Sequence, residues 1–158
     1  MAERTTREDA TPEASRSDEW TARIVAAMRA RDRAATWLGI DVLDVRAGYA
    51  QCAMSVTESM LNGHDVAHGG LIFTLADTAF AYACNARNDV NLALDCSISF
   101  ATPARLGERL LAICQERTRG KRTGIYDVTV TGTDGRTIAV FRGTSYQINA
   151  TILPGEAP

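Results

Sequence analysis

Residues 68–85, HGGLIFTLADTAFAYACN, form a long run of apolar and small residues that is interrupted by a single carboxylate, Asp77. The run approaches the length of a membrane span, but a charge at a bilayer centre would cost about 2.5 to 3.5 kcal/mol. We therefore expect a helix buried inside a protein, and a helix that is apolar on nearly every side must be wrapped by other elements. Because a carboxylate is rarely buried without a partner, Asp77 is expected to be either paired or functional.

The segments on both sides of this run alternate between apolar and polar residues, which indicates β-strands. Two short strands are predicted before the run, at residues 40–45 and 52–56. The strand after it, LALDCSISF, is predicted to direct one set of side chains toward a single face: Leu92, Leu94, Cys96, Ile98 and Phe100. Three more strands are predicted at residues 109–118, 123–131 and 137–149, and their short connections favour antiparallel pairing.

These elements predict an α+β fold in which a curved antiparallel sheet of about six strands wraps one long central helix. Residues 1–17 are polar and lack hydrophobic periodicity, so we expect a flexible tail there. An extra N-terminal helix is predicted from Ser17, which can cap it, to Gly39, which ends it. Residues 18–153 are expected to form a single domain. The first residues lack the apolar segment of a signal peptide, which favours a cytoplasmic location.

The charge balance and the cysteine pattern argue against several classes of function. The chain has 17 Lys and Arg against 19 Asp and Glu, a net charge of −2, so it lacks the basic field that nucleic-acid binding needs. It has no P-loop, no nucleotide-binding Gly-x-Gly-x-x-Gly pattern and no Gly-x-Ser-x-Gly elbow. Four widely spaced cysteines are expected to be reduced core residues rather than metal or redox sites: Cys52, Cys84, Cys96 and Cys114.

The two glycines that precede the apolar run have two interpretations. Gly69 and Gly70 lie where the central helix should begin, and free N–H groups there can bind a developing oxyanion; alternatively, the pair only permits a tight turn. Asp77 can act as a general base on water or as a nucleophile on an activated acyl group. It lies eight residues beyond Gly69, about 12 Å along a helix. If both residues are catalytic, the site must combine Gly69 of one subunit with Asp77 of another, which predicts a symmetric dimer.

The two histidines have a spacing that metal ligands on one helix face can have, since His64 and His68 are four residues apart. Gly63 and Gly69 weaken a helix there, and no His-Glu-x-x-His pattern is present, so a metal site is not expected. His68 is instead expected to steady the turn before the helix. Asn62 lies in a predicted loop, where asparagine is common as a turn former.

A small basic cluster lies between two of the predicted strands: Arg119, Lys121 and Arg122. A solvated hairpin is the usual reason for such a cluster, and binding of phosphate groups is the alternative.

The stretch NGHDVAHGGLIFTLADTAFAYACN resembles the signature of the phenylacetyl-CoA thioesterase (PaaI) family of hotdog-fold hydrolases, and the similarity extends to about residue 150. The resemblance implies a hotdog fold, in which a long helix is wrapped by an antiparallel sheet, and subunits that pair into dimers and commonly tetramers. It implies that Asp77 is the catalytic carboxylate and that the Gly69 N–H polarises the thioester carbonyl. Asn62 would orient the substrate or the attacking water, with His68 in a supporting role. The Asn62–Gly69 loop and Asp77 would come from opposite subunits.

The function that this resemblance implies is hydrolysis of (hydroxy)phenylacetyl-CoA, or a similar aryl- or acyl-CoA thioester, to the free acid and coenzyme A. No cofactor is implied, because coenzyme A is part of the substrate. Some related thioesterases carry Ser or Thr where this chain has Ala93, which puts assistance by a hydroxyl there in doubt. The alternative function is a hotdog domain that binds acyl-CoA without hydrolysing it. Expected substrate contacts are Gly70, Arg119, Lys121 and Arg122, together with Phe80 and Tyr82, which could equally be core residues.

Overall fold

The computed structural model describes residues 12–156 of the chain, with side chains from residue 16. The order of elements is the predicted one, with two short strands, one long helix and four further strands after the N-terminal helical segment. The bounds are α1 Pro12–Arg29, α2 Arg33–Leu38, β1 Asp41–Arg46, β2 Tyr49–Ser55, a 3-10 turn Glu58–Met60, α3 Gly69–Asn85, β3 Asp89–Phe100, β4 Arg109–Arg119, β5 Thr123–Thr131 and β6 Thr137–Thr151.

The sheet wraps the central helix as the apolar run requires. Its strand order is β1-β2-β4-β5-β6-β3, every neighbouring pair is antiparallel, and α3 contacts all six strands. The side of α3 that faces the sheet is fully buried through Leu75, Ala76, Ala79 and Ala83. Small residues at these positions let the helix backbone approach the sheet closely, which confirms the predicted helix-in-sheet architecture. No helix in residues 12–156 is long and apolar enough to cross a membrane.

The predicted facing of β3 is wrong at its N-terminal half. Leu92 pairs with Tyr146, whereas Cys96 pairs with Gly143, and the register shifts between Ala93 and Asp95. Directly opposed residues share a face and successive residues alternate, so this bulge sends Leu92 to the opposite face from Cys96. Leu92 is accordingly 56% exposed, while Cys96, Ile98 and Phe100 lie on the face that is directed toward α3.

The N-terminal helix also differs from its prediction. It begins at Pro12, so the expected tail boundary near Ser17 is wrong, and residues 1–11 of that tail lie outside the described part of the chain. It ends at Arg29, and a separate helix α2 begins after Asp32, whose side chain accepts a hydrogen bond from the Ala35 N–H at 3.0 Å. A local side-chain cap of this kind offers the backbone an alternative to continuing the first helix.

Gly39 ends α2, as predicted for the end of the N-terminal helical segment, with a left-handed φ of 64°.

All four cysteines are free thiols, and Cys52, Cys84 and Cys114 are buried in the core. Burial raises the pKa of both Cys52 and Cys84 to about 12. These thiols are therefore protonated and unreactive near neutral pH, as expected of core residues.

Candidate active site

The start of α3 is fixed by His68. Its backbone is extended, and the ring Nδ1 accepts a hydrogen bond from the Gly70 N–H at 3.0 Å. The His68 N–H in turn donates to the Met60 carbonyl at 2.8 Å, which anchors the helix start to the preceding loop. His68 therefore serves as the N-cap of α3, and this contact agrees with the expectation that its ring steadies the turn. The same contact occupies the N–H of Gly70, which was expected to contact substrate.

Gly69 keeps a free backbone donor at this helix start. Among the hydrogen bonds of residues 12–156, none uses the Gly69 N–H. A Cβ on Gly69 would lie 2.9 Å from Cζ of Phe100, so a residue larger than glycine would have to displace that ring. An unpaired N–H at the positive end of a helix is suited to stabilise a developing negative charge on oxygen.

Asn62 shapes the loop that leads to this donor. Its Oδ1 accepts hydrogen bonds from the N–H groups of His64, at 2.8 Å, and Val66, at 3.4 Å. Because Oδ1 is the acceptor in both contacts, the other end of the amide is the Nδ2 donor, which has no partner in the described chain. Asn62 thus forms the turn through Oδ1 and also provides a second free donor, Nδ2.

Asn62 and Gly69 line the same cavity, which has a volume of about 310 Å³. The remainder of its wall is mostly apolar, a composition that suits an organic group held by a few convergent donors. Its other lining residues are Val66, Ala67, Ile72, Phe100, Ala101, Thr102, Pro103 and Ala104.

Asp77 lies away from this cavity along α3, as the spacing predicts. Its side chain is half-buried, and no hydrogen bond or ion pair to it is present within residues 12–156. Burial raises the pKa of Asp77 above its ordinary value, and the negative charge of Asp32 adds to that rise. Burial and the Asp77 charge both raise the pKa of Cys96, to about 11, so the carboxylate is close to β3, at the edge of the sheet. An unpaired carboxylate of this kind is a candidate base or nucleophile.

The basic cluster lies at the opposite end of the molecule from Gly69. Arg119 pairs with Asp89 at 2.7 Å, next to the C-terminal end of α3, and the guanidinium of Arg122 donates to the Tyr146 hydroxyl at 3.1 Å. Lys121 is exposed and forms no ion pair in the described chain. Within one chain the structure therefore does not bring this cluster to the Asn62–Gly69 cavity.

Phe80 and Tyr82 lie in the core, the alternative that the sequence left open. Both are 1% exposed, and Phe80 packs edge-on against Tyr126 with ring centroids 5.4 Å apart.

No group of three or more His, Cys, Asp or Glu side chains in the described chain has the arrangement of a metal site.

Sequence reasoning missed two residues around these groups. Phe100 covers Gly69 but appears in the sequence only as the last apolar residue of a strand. Asp32, whose charge acts on Asp77, lies 45 positions earlier and has the sequence context of an ordinary helix cap. Neither contact leaves a local sequence signal, because both depend on how the sheet and the N-terminal helices fold around α3.

Comparison with known proteins adds an independent observation. Residues 64–139 match the model of the family described as the thioesterase superfamily. The chain is 47% identical to the acyl-coenzyme A thioesterase PaaI of Escherichia coli, over 83% of this chain and 93% of that protein.

Solved structures agree with this match. The structure of the E. coli PaaI protein from the phenylacetic acid degradation operon superposes with a TM-score of 0.82 at 43% identity, covering 84% of this chain and 96% of that one. A Streptococcus mutans protein bound to acetyl-CoA superposes with a TM-score of 0.68 at 27% identity, covering 71% and 90% of the two chains.

Proposed function

Because this chain belongs to the PaaI family of the hotdog-fold thioesterase superfamily, we propose that it hydrolyses an acyl-CoA thioester to the free acid and coenzyme A. One observation carries the proposal. Two unpaired donors, the Gly69 N–H and Asn62 Nδ2, line one mostly apolar cavity at the start of a helix that also presents an unpaired, half-buried carboxylate, Asp77. Oxyanion donors together with a base of raised pKa are the groups that acyl transfer needs.

In the proposed reaction the thioester carbonyl oxygen accepts a hydrogen bond from the Gly69 N–H, and the Asn62 amide orients the carbonyl or the water. Asp77 removes a proton from that water while the water oxygen attacks the carbonyl carbon. Collapse of the tetrahedral intermediate breaks the C–S bond, and the coenzyme A thiolate leaves and is protonated. In the second route Asp77 itself attacks the carbonyl carbon, the C–S bond breaks with release of the coenzyme A thiolate, which is protonated, and water then hydrolyses the resulting anhydride. Oxygen-isotope incorporation into Asp77 during one turnover separates the two routes, since only the second places solvent oxygen in the carboxyl group.

The site in this proposal is shared between two subunits. Gly69 and Asp77 are about 12 Å apart along one helix, too far to act on the same carbonyl. The outer edge of β3 is unpaired in the described chain, and long unpaired edges of this kind pair with another copy. Antiparallel pairing of β3 with β3 of a second copy would place Asp77 of the partner subunit opposite Gly69. Two such dimers would form the tetramer that the family resemblance suggests.

The same pairing gives the basic cluster a role. Phe100, at the C-terminal end of β3, contacts Gly69, and Asp89, at the N-terminal end of β3, holds Arg119. A two-fold axis that crosses β3 brings the C-terminal end of one strand toward the N-terminal end of the other. Lys121 and Arg122 of the partner subunit would then lie on the side of the cavity where the phosphates of coenzyme A leave it. The acyl group would enter the interface beside α3. The proposed reaction would need no nucleotide other than coenzyme A.

For the acyl group we propose phenylacetyl or a ring-hydroxylated phenylacetyl group. The support is the 47% identical relative, which is named PaaI, together with the solved structure of the E. coli PaaI protein, which is described as coming from the phenylacetic acid degradation operon. A mostly apolar cavity of about 310 Å³ is compatible with binding part of an aryl-acyl thioester.

The experiment is turnover of a panel of aryl- and alkyl-CoA thioesters by the wild type and by Asp77→Asn, with Asp44→Asn as a control that removes one carboxylate from an exposed ion pair. We expect hydrolysis by the wild type and by Asp44→Asn and at least a hundredfold loss in Asp77→Asn. Full activity in Asp77→Asn would contradict the proposed mechanism. If no form hydrolyses any thioester but all bind coenzyme A, the chain is a non-catalytic acyl-CoA-binding module. A chelator control tests for a bound metal.

A further inference from the structure

The cavity that Asn62 and Gly69 share has one aromatic residue in its described lining, Phe100. Phe100 is 52% exposed, so about half of its surface is free to contact a bound molecule. The two aromatic residues that the sequence offered as contacts for an aryl group, Phe80 and Tyr82, do not line this cavity and are buried in the core. Phe100 therefore provides the aromatic surface that lies beside the free Gly69 N–H.

The backbone of β3 fixes Phe100 at this position. Phe100 is the last residue of the strand and pairs with Ala139 of β6, which is fully buried, so its side chain lies on the α3 side of the sheet. The N–H of the next residue, Ala101, donates to the Ile138 carbonyl at 2.8 Å and holds the strand end against β6. The ring thus stands on a hydrogen-bonded strand rather than on a loop, which suits a residue that must hold a substrate in one place.

The ring of Phe100 contacts Gly69 through its tip. A Cβ on Gly69 would lie 2.9 Å from Cζ of the ring and 3.3 Å from both Cε1 and Cε2. Equal distances to the two Cε atoms mean that the ring points its para position at Gly69, so the flat faces of the ring take no part in this contact. A carbonyl oxygen that accepts from the Gly69 N–H lies about 2.9 Å from the nitrogen, which brings the groups bonded to the carbonyl carbon close to the same ring.

We propose that Phe100 is a specificity-determining residue: a free face of its ring packs against an aromatic acyl group whose thioester carbonyl is bound by the Gly69 N–H. The inference rests on the proposed function and adds the residue that selects the acyl group. Aromatic pairs gain from offset-stacked or edge-to-face contact beyond the burial of apolar area, whereas a saturated acyl group gains from burial alone. Phe100 lies at the sheet edge beside which the acyl group is proposed to enter, so aryl thioesters are favoured over saturated ones of similar size.

Phe73 is a competing candidate for this role, because it lies one turn of α3 beyond Gly69 on the way to Asp77. Its side chain is half-buried, and its ring packs edge-on against the buried ring of Phe141 with centroids 5.4 Å apart. It does not line the cavity that holds the free Gly69 donor. Phe73 therefore belongs to the packing between α3 and β6, and the selecting role falls to Phe100.

A contact between the Phe100 ring and the pantetheine arm of coenzyme A is the alternative. Every coenzyme A thioester carries the same arm, so such a contact changes kcat/KM by the same factor for all acyl groups. Selectivity between two acyl groups on coenzyme A therefore distinguishes a contact with the acyl group from a contact with the arm.

The experiment compares phenylacetyl-CoA with cyclohexylacetyl-CoA, which has the same carbon skeleton without the aromatic ring. The quantity measured is the ratio of their kcat/KM values, in the wild type and in Phe100→Leu, which keeps an apolar side chain but removes the ring. We expect kcat/KM to fall for both thioesters and the ratio to fall about three- to tenfold, since only the aryl substrate loses an aromatic contact. Val140→Ala is the matched control and is expected to leave both values unchanged, because Val140 is an exposed apolar residue of the neighbouring strand β6 on the opposite face of the sheet.

Phe100→Tyr tests the tip contact separately. It keeps the flat ring and adds a hydroxyl at the atom that stands against Gly69, so either the ring or the helix start that carries the donor must move. We expect kcat to fall about tenfold or more for both thioesters. Wild-type kcat in this variant would overturn the geometry on which the inference depends.

The outcomes separate this inference from the proposed function. An equal loss on both thioesters in Phe100→Leu, with the ratio unchanged, would overturn the role of Phe100 in selecting the acyl group. If the wild type hydrolyses neither thioester, the proposed function fails instead, and the ratio of the two dissociation constants, measured by calorimetry in the wild type and in Phe100→Leu, still reports whether Phe100 selects the aryl group. Circular dichroism and native mass spectrometry check that each variant is folded and keeps the oligomeric state of the wild type.

Discussion

Phe100 stands directly against the Cα of Gly69, so that a Cβ at that position would come within 2.9 Å of the ring. This contact joins the end of β3 to the beginning of α3, and it lies beside the N–H that we assign to the thioester oxygen. Phe100 itself remains 52% exposed, and it lies at the sheet edge where the second subunit is proposed to pack. A strand end, a helix start and the proposed subunit interface therefore meet at one backbone donor.

Gly69→Ala is expected to lower kcat about a hundredfold or more, because the new methyl group must displace either the Phe100 ring or the helix start that holds the donor. Steady-state kinetics measure this effect, and circular dichroism checks that the protein remains folded. Gly63→Ala is the matched control, since a Cβ there meets no heavy atom within 4 Å and Gly63 lies in the same loop. Comparable losses in both variants would show that the loop as a whole, rather than the Gly69 donor, was disturbed.

Asp77→Asn is expected to be more stable than the wild type at neutral pH. The raised pKa of Asp77 means that the folded protein holds this proton more tightly than the unfolded chain does, so the ionised carboxylate destabilises the fold. The wild type should therefore lose stability as pH rises from the ordinary aspartate value, about 3.9, through the raised one. Melting temperatures across pH should show the largest gain for Asp77→Asn above that window and convergence below it. A gain that is the same at every pH would exclude this electrostatic origin.

Mixing two inactive variants tests whether the site is shared. A heterodimer of Asp77→Asn and Gly69→Ala subunits has one site that carries both substitutions and one that carries neither. If Gly69 and Asp77 come from different subunits, unfolding and refolding the variants together should recover activity that neither variant shows alone. Refolding each variant by itself is the control. Absence of recovery from dimers shown by native mass spectrometry to be mixed would place both residues of each site in the same subunit.

The sequence predicts the central helix and the strands well because both follow from periodicity that is local to each segment. The apolar run of α3 and the alternation of the later strands are complete in themselves. The bulge in β3 is different, since the register shift between Ala93 and Asp95 arises from pairing with β6 and leaves the alternating pattern of LALDCSISF intact. The alternating pattern therefore predicts the wrong face for Leu92, although it predicts the strand itself correctly.

The candidate site shows the same contrast between local contacts, which the sequence predicts, and long-range ones, which it does not. His68 and Asn62 are turn and cap residues whose roles depend on neighbours two to four positions away, and their contacts agree with the expectations from sequence. The separation of Gly69 and Asp77 follows from helix geometry alone. The effect of Asp32 on Asp77 and the contact of Phe100 with Gly69 join residues that are 45 and 31 positions apart, and no spacing rule connects them.

Replacing Lys121 and Arg122 together by alanine is expected to raise KM for acyl-CoA severalfold with little change in kcat, because phosphate contacts remote from the thioester bind substrate and transition state equally. Arg119 is left in place, since its ion pair with Asp89 supports the start of β3. The matched substrate is the same acyl group on pantetheine, which lacks the nucleotide. Its KM should be unaffected by the double substitution. The difference in KM for acyl-CoA between the wild type and the double variant should shrink at high salt. Arg33→Ala, at the exposed start of α2, controls for loss of positive charge. An equal rise in KM for the pantetheine thioester would show that the basic cluster acts on the fold or the acyl site rather than on the phosphates.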